Sequence, residues 1–476
     1  MLLLFLNICA LALSSFAFAQ NGTVKKTLTG HIDPSEVLSF VYIPFEVELG
    51  TTSIYVLQNY SAKDTGNALD LGVFDQRGQA LEGSRGWSGG FRNNFTITPS
   101  WATPGYNAGP IEPGTWHVAL GPYTSIPGGI DWQLDIEMGF DPVDSYFAVE
   151  SATMNMDPLC NGLCTEDAQW LRGDLHMHTV YSDGQYTPDE QIEIALEQGL
   201  DFIFFSDHNT DSSNNIMGSF QHFAPDLLIG RAIEVTTRGG HWQALGLDPG
   251  QVVEWRYQEG EGYIQAAQEV RRRGGLVSIN HPFAECSACN WVIDDWDHND
   301  AIEVWNAQWD VEDEQAVEKW QEQLVNGKFT TAVGGSDSHS PPALNGVPTT
   351  AVRSRGKSQS AIIEGIRAGR AYLAGGPGIE LLFKIYLPSL SRSDIAQIGD
   401  KIKASTDGAV AVLATNGLAG QKACFVTDQG YVHNTTVRHN GTVEQSVPEE
   451  AKFMRVEVRN GTNDVMLGMT NPIWFL

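Results

Sequence analysis

Basic residues are scarce in this chain. Its 476 residues include 29 Lys and Arg against 58 Asp and Glu, a formal charge of −29. Such a field repels phosphate backbones and anionic membrane surfaces. It argues against nucleic-acid polymers as partners unless bound metal ions reverse it locally, and its general reading is a soluble, non-adhesive surface. Long apolar runs are lacking too. Leu2 to Leu6 and Ile8 to Leu13 make a short apolar stretch, and Ala17-Phe18-Ala19 before Gln20 gives an A-x-A cleavage pattern. Together they read as a signal peptide over residues 1–19, although Lys and Arg are missing from its start. That stretch is too short for a stable transmembrane span and no other is long enough. The expectation is a protein without a stable membrane anchor, secreted to the exterior, or to the periplasm of a Gram-negative host.

Cysteine is sparse as well. Of six, Cys9 leaves with the signal peptide, and Cys160, Cys164, Cys286, Cys289 and Cys424 remain. An odd number leaves at least one thiol unpaired or paired with another chain. The spacings suggest local disulfides, Cys160 with Cys164 and Cys286 with Cys289, and an oxidising compartment favours these over a cysteine–metal site. No internal repeat and no low-complexity tract is present. Apolar residues make up 42% and charged residues 18%, which supplies several packed cores and excludes wholesale disorder. The length suggests about three domains. N-x-S/T sequons stand at Asn21, Asn59, Asn94, Asn434, Asn440 and Asn460, and none lies between residues 171 and 376. In a eukaryotic host that fits glycans on two flanking domains.

The patterning divides the chain accordingly. In residues 20–168, Phe45, Val47 and Leu49 alternate with Glu46 and Glu48, and Trp132, Leu134, Ile136 and Met138 alternate with Gln133, Asp135 and Glu137. A period of two with Gly and Pro punctuation predicts short strands in a β-sandwich or jelly roll. Residues 169–376 differ. Phe202 to Phe205 and Leu276 to Ile279 read as strands buried on both faces. Between such runs lie helical patterns. One starts at Thr187, with Pro188 at its first position, a capping box completed by Glu190, an apolar face of Ile192, Ala195 and Leu196, and Gly199 at its end. Others span about Gly262–Arg273 and Ser360–Ala368. Strands alternating with helices predict a parallel βα architecture. In residues 377–476, Met454, Val456 and Val458 alternate with Arg455, Glu457 and Arg459, a return to β patterning and a β-rich C-terminal domain, sandwich-like as at the N-terminus.

Four segments in the central third carry ligand-type residues at predicted strand ends. The first is Asp174-Leu175-His176-Met177-His178 followed by Ser182-Asp183-Gly184; in a strand His176 and His178 point to one face. The second is Ser206-Asp207-His208-Asn209, the third Asn280-His281-Pro282, and the fourth Gly335-Ser336-Asp337-Ser338-His339. In a βα barrel the C-terminal strand ends gather at one face, where active sites sit. Between the second and third lie Glu234, flanked by Ile233 and Val235, and His241. Glu234 could bridge two metals through its two oxygens. Imidazole and carboxylate donors without thiolate suit zinc, manganese or iron. A single catalytic zinc needs three protein ligands, so nine candidates predict two or three divalent ions, which would produce hydroxide near neutral pH. Asp207 either ligates or orients the site from behind; it and His208 are the candidate catalytic residues. His31, His222 and His298 have no such context. Trp305, Asn306 and Trp309 either wall a pocket or pack.

These four motifs resemble those of the PHP family, named for polymerase-associated and histidinol-phosphatase proteins, over residues 170–376. The resemblance implies a distorted barrel of about seven βα units, (βα)7, with two or three metals at its mouth. It implies as metal ligands His176, His178, Asp183, His208, Glu234, His241, His281, Asp337 and His339, of which Glu234 and His241 match a looser pattern. Within the family, a secreted chain with β-rich flanks is similar to the CehA/McbA branch, whose known members cleave aryl carbamates, whereas most of the wider family are phosphoesterases.

Phosphoester hydrolysis of a small phosphate ester or nucleotide is the first expectation, because several metals suit the charge of a phosphoryl transition state. Arg172, Arg231, Arg238 and Arg353 are candidate phosphate-binding cations. Carbamate or carboxylic ester hydrolysis is the second, with Trp242, Trp305 and Trp309 as candidate walls of an apolar pocket. A third is a metal-stabilised module that binds glycans or a cell wall through its β domains, in which loss of Asp337 or His281 would spare surface binding. The β domains are also candidate surfaces for homo-oligomer contacts.

Overall fold

The computed structural model describes residues 22–149, 168–286, 288–388, 395–403 and 405–476. The expected signal peptide, the Asn21 sequon and the Cys160–Cys164 pair lie outside these residues.

The N-terminal region is all β, as the alternation predicts. Its strands are β1 (Thr23–Ile32), β2 (Val41–Val47), β3 (Ser53–Tyr60), β4 (Ala68–Phe74), β5 (Ser84–Gly89), β6 (Asn94–Ile97), β7 (Gly114–Thr124) and β8 (Ile130–Gly139). They form two four-stranded antiparallel sheets, in the orders β1-β8-β3-β6 and β2-β7-β4-β5. Trp132, Leu134, Ile136 and Met138 of β8 share one core with Phe45 and Val47 of β2. Leu49 does not join them. It is 83% exposed because β2 ends at Val47, so the alternation in sequence outruns the strand by one step.

The central region contains β9 (Gln169–Asp174), α1 (Pro188–Glu197), β10 (Phe202–Phe205), α2 (Met217–Phe223), β11 (Leu228–Thr237), β12 (Gly240–Leu245) and α3 (Gly260–Arg272). It continues through β13 (Leu276–Ile279), β14 (Ala301–Asn306), α4 (Val311–Val325), β15 (Thr331–Gly335), β16 (Thr349–Ser354), α5 (Gln359–Arg367) and β17 (Ala371–Ala374). The strand order is β15-β14-β13-β12-β11-β10-β9-β16-β17. α1 carries the predicted start: Thr187 caps it, Glu190 closes the capping box and Pro188 follows the cap. Of its predicted apolar face, Ile192 and Ala195 are buried but Leu196 is half exposed.

The expected distorted (βα)7 barrel takes the form of a mixed α/β half-barrel, with the expected parallel strands interrupted. β9, β10 and β11 run parallel, as do β13, β14 and β15, but β12 is antiparallel to both its neighbours and β16 to both of its own. The physical reason is connection length. β11 and β12 are joined by the tight turn at Arg238-Gly239, and so short a link can only return the chain antiparallel. Gly240 has φ +118°, and a Cβ there would meet Trp291 backbone and ring. Among the described residues no strand ladder joins β15 to β16 or β17. Side chains close that seam instead. Thr350 Oγ1 accepts from Gly334 N–H at 2.9 Å and donates to Gly334 O at 2.7 Å. Asn471 Nδ2 donates to Ala332 O at 2.9 Å and to Ala371 O at 3.0 Å, while its Oδ1 accepts from Ala332 N–H at 2.8 Å.

Residues 377–476 are β-rich but do not stand apart. Strand Met466–Thr470 pairs with β17, and Phe453–Arg459 and Lys422–Thr427 continue the same sheet. A second antiparallel sheet, containing Glu380–Tyr386 and Val410–Asn416, packs over it around Phe383, Leu413, Phe425 and Val456. The polar face predicted for Arg455, Glu457 and Arg459 is buried rather than wet. It lies against α4: Glu457 pairs with Arg455 at 2.7 Å and Arg459 at 2.8 Å, and Arg459 reaches Glu314 of α4 at 2.6 Å. Charges buried in this way are paired with one another, which is what makes their burial tolerable.

Candidate metal centre

The half-barrel brings all nine predicted ligands into one cluster, buried at His176, His178, Glu234 and His241 and partly exposed at Asp183, His208, His281, Asp337 and His339. His176 and His178 follow β9, with Asp183 on the turn beyond. His208 follows β10, Glu234 lies within β11 and His241 within β12, His281 follows β13, and Asp337 and His339 follow β15. Their donor atoms fall into overlapping groups: His176, His178, Glu234 and Asp337; His208, Glu234 and His241; His178, Asp183, His208 and His339; and His176, His281 and Glu303.

Glu234 sits at the middle. Its Oε2 is 3.2 Å from His176 Nε2, 3.2 Å from His178 Nε2 and 3.1 Å from His208 Nδ1. Its Oε1 is 3.2 Å from His241 Nδ1 and 3.0 Å from His281 Nε2. The two oxygens therefore serve two sets of imidazoles, the arrangement of a bridging carboxylate. Asp337 Oδ1 closes the first set at 3.2 Å from His176 Nε2 and 3.0 Å from His178 Nε2. Donors held ~2.0–2.2 Å from a tetrahedral zinc stand roughly 3.3 Å apart, and this set has that spacing.

The fit to metal ions is tested by what these atoms fail to do. His176 Nε2, His178 Nε2, His241 Nε2, Asp183 Oδ1 and Asp337 Oδ1 are buried and make no hydrogen bond. Buried polar atoms almost always find a partner. Five in one cluster, near one another but not aligned as hydrogen bonds, suit multiple divalent cations. The far sides of the rings are held. His176 Nδ1 lies 2.9 Å from Glu303 Oε1 and His339 Nδ1 donates to Asp337 O at 2.8 Å, while His208 Nδ1 is shared between Glu234 Oε2 and Thr236 Oγ1. Such outer partners fix ring orientation at metal sites. The backbone is bent to the same end: His281 (φ 23°) and Asp337 (φ 47°) occupy the left-handed region that non-glycine residues avoid, and such strain concentrates at functional sites.

The charges lock together. Burial works against charge on His178, yet the Asp337 and Glu234 carboxylates beside it push it up to about 10. His176 and His281 are raised in the same way. Burial would raise Glu234 and Asp337, but the surrounding imidazoles hold both well below the carboxylate range. His208 differs: burial dominates and brings it down to about 4, so its ring is neutral at pH 7.

Asp207 is not among the converging donors. Its carboxylate accepts from Thr179 N–H at 2.8 Å, Thr179 Oγ1 at 2.9 Å and Ser182 Oγ at 2.8 Å. It positions the turn that carries Asp183, so of the two roles read from the sequence the geometry fits the orienting one. Glu303 on β14 was missed. It holds His176 Nδ1 through Oε1 and accepts the His281 N–H at 3.1 Å and Asn306 Nδ2 at 3.2 Å through Oε2. A signal existed. The tetrapeptide Ala-Ile-Glu-Val occurs at both 232–235 and 301–304, and each places one carboxylate in an otherwise apolar strand.

Two hollows meet at the cluster. One, about 600 Å³, lies over His281, Asp337 and His339 and is edged by Glu285, Glu312 and the Cys286–Cys289 disulfide, the pairing the spacing suggests. The other, about 230 Å³, lies between the cluster and the N-terminal domain, with aromatic walls from Phe40, Trp87, Tyr123 and Trp255. The tryptophans expected as walls pack elsewhere: Trp242 Nε1 donates to Tyr257, and Trp305 packs on Trp309. Of the four candidate phosphate-binding arginines, Arg172 donates to Pro377 O, Arg231 to Asn214 O and Arg353 to Asp400. Arg238 alone among them lines the smaller hollow, paired with Asp70.

No family model and no curated protein matches this chain. Three of the solved structures to which it is similar are as follows. One is a two-domain protein from Bacteroides vulgatus described as containing a predicted PHP-like metal-dependent phosphoesterase (17% identity, 65% of this chain and 96% of that one, TM-score 0.38). Another is a candidate metal-dependent phosphoesterase from Bifidobacterium adolescentis (19%, 36% and 90%, TM-score 0.27). A third is an amidohydrolase from Chromobacterium violaceum with bound sulfate and no metal (16%, 36% and 88%, TM-score 0.24).

Proposed function

We propose that this protein is a hydrolase that cleaves small phosphate esters with two or three divalent ions held by His176, His178, Asp183, His208, Glu234, His241, His281, Asp337 and His339. The observation that carries the reading is the set of five buried donor atoms without hydrogen-bond partners in one cluster. Divalent ions there would lower the pKa of water to give a nucleophile near neutral pH and would stabilise charge developing on the attacked group. The chain's own residues do the rest. Glu303 fixes the His176 ring, Thr236 meets the His208 ring, and Asp207 sets the turn bearing Asp183. The signal-peptide pattern extends the proposal to a secreted enzyme acting on small molecules.

A second reading, carbamate or carboxylic ester hydrolysis at the same site, is favoured by one observation. Three of the four candidate arginines are engaged away from the cluster and the fourth is neutralised by Asp70, while the adjoining hollow is aromatic. The test uses protein reconstituted with zinc or manganese and a pair of chromogenic substrates, an aryl phosphate and an aryl carbamate with one leaving group. Faster phosphate cleavage, lost in His281→Ala, supports the first reading, and faster carbamate cleavage replaces it with the second. Cleavage of neither, with metal bound, would sink both.

A further inference from the structure

We propose that the N-terminal domain completes the candidate metal centre. Arg92 is the positioning residue for the turn that bears Asp183, and the ion position bounded by His178, Asp183, His208 and His339 depends on its grip, whereas the position around Glu234 does not. The proposal rests on the metal-centre reading.

Asp183 is supported differently from the other candidate ligands. It lies on the turn beyond His178, outside any strand. Its Oδ1 stands 3.4 Å from His339 Nε2, 3.6 Å from His208 Nε2 and 3.8 Å from His178 Nδ1. That oxygen is buried and makes no hydrogen bond, so its direction is set by the backbone of the turn. Gly184 lets the turn fold back on His178, since a Cβ there would come 2.6 Å from His178 O.

The turn is held from two sides. On the barrel side, Asp207 takes its donors, Thr179 N–H and the Ser182 hydroxyl. On the other side, half-buried Arg92, in the link between β5 and β6, takes its acceptors. Nη1 donates to Ser182 O at 2.8 Å and Nη2 donates to Val180 O. The two prongs grip carbonyls on either side of Tyr181, next to Asp183. A guanidinium suits this task because its donors form a rigid planar fork and its charge strengthens each bond. The same domain seats the loop after His208. Gly105 O accepts from Thr210 Oγ1 at 2.9 Å, Gly105 N–H donates to Ser212 Oγ at 3.1 Å, and Asn107 Nδ2 donates to Asp211 Oδ1 at 2.7 Å. Gly105 also presses on the Asp183 turn, where a Cβ would stand 2.9 Å from Tyr181 O. Asp183 and His208 therefore sit on segments that the N-terminal domain holds. Glu234 and His241, by contrast, are fixed by the β11–β12 ladder.

The test is calorimetric titration of metal-free full-length protein with zinc, with bound ions counted by elemental analysis. Arg92→Ala is expected to weaken one ion by about 10–100-fold, the usual cost of removing an outer support at a metal site, and to leave the others at wild-type affinity. That ion is expected to be the one lost in Asp183→Ala, so the double variant should bind zinc as Asp183→Ala alone does. A residue acting only on general stability would add its cost to that of Asp183→Ala. Arg92→Lys keeps the charge without the fork and is expected to weaken the same ion; it carries the test if circular dichroism shows Arg92→Ala unfolded. Tyr42→Phe removes a different interdomain bond, from Arg256 Nη1 at 2.6 Å, and is expected to bind zinc as the wild type does. Wild-type binding in Arg92→Ala or Arg92→Lys, equal weakening of every ion, additive loss in the double variant, or weakening in Tyr42→Phe overturns the proposal. The expected pattern in a protein that cleaves no ester keeps this inference and removes the hydrolase. A wild-type protein that binds no zinc removes both.

Discussion

Glu303 touches two candidate ligands at once, His176 through its ring and His281 through its backbone N–H. Glu303→Gln keeps the size and removes the charge, and is expected to lower metal affinity or activity by about 10–100-fold, the usual cost of losing an outer partner at a metal site. Metal content after dialysis, beside an unchanged circular dichroism spectrum, checks it. Protonation at the same residues sets a pH dependence. His178 is raised to about 10, so at pH 7 the metal-free cluster holds protons that an incoming ion must expel. Apparent affinity for zinc is expected to rise with pH, with proton release measurable by calorimetry in buffers of different ionisation enthalpy. The sign for stability without metal follows. The raised imidazoles, His176, His178 and His281, stabilise the fold below about 6.5 and lose that effect as pH climbs through their folded values. The depressed carboxylates, Glu234 and Asp337, stabilise it above about 4 and lose that effect in acid. Metal-free protein is therefore expected to be most stable between these limits, which a series of thermal melts from pH 3 to 11 would show.

Secondary elements separate what patterning can reveal from what it hides. β10 and β13 begin and end where the runs Phe202 to Phe205 and Leu276 to Ile279 do, because a strand covered on both faces has no exposed polar face to blur its limits. α1 was legible down to its cap, since Thr187, Pro188 and Glu190 act locally. The strand Phe453–Arg459 was not. Its alternation implied a wet face, and the paired charges on that face conceal burial against α4, which only tertiary packing decides. Glu457→Ala would remove the carboxylate that Arg455 and Arg459 share, leaving Arg455 without it while Arg459 keeps Glu314. It is expected to cost about 3–5 kcal/mol, read as a fall in the urea midpoint, whereas Thr187→Ala is expected to cost about 1 kcal/mol. Direction of travel was equally illegible. Nothing in the ligand motifs says that β12 and β16 run against their neighbours; the tight turn at Arg238-Gly239 imposes the first.

Over the whole molecule, seven of the nine candidate positions were readable from short motifs that follow β9, β10, β13 and β15, whereas Glu234 and His241 lie inside strands and match a looser pattern; the aromatic hollow was not readable, because Phe40, Trp87 and Tyr123 come from a different domain and meet the cluster only in the fold. A site that binds ions in the folded state alone stabilises that state by mass action. Metal at about a thousand times its Kd is expected to add roughly 4 kcal/mol, so EDTA should lower the Tm and zinc or manganese restore it. Among the described residues no helix is long and apolar enough to cross a membrane.

Asn471 follows every candidate ligand in chain order, yet its side chain ties β15, which leads to Asp337 and His339, to β17 across the seam of the half-barrel. The order of synthesis thereby acquires a meaning. All nine candidate ligands leave the ribosome well before the residue that fastens their sheet, so the growing chain would carry the candidate motifs without the frame that aligns them. On the metal-centre reading proposed above, ion capture is expected to be a late event of maturation, after the C-terminal strands have docked. Stalled chains ending before Met466 are expected to retain no stoichiometric zinc, and tight binding by such chains would show that the frame is complete without that clasp.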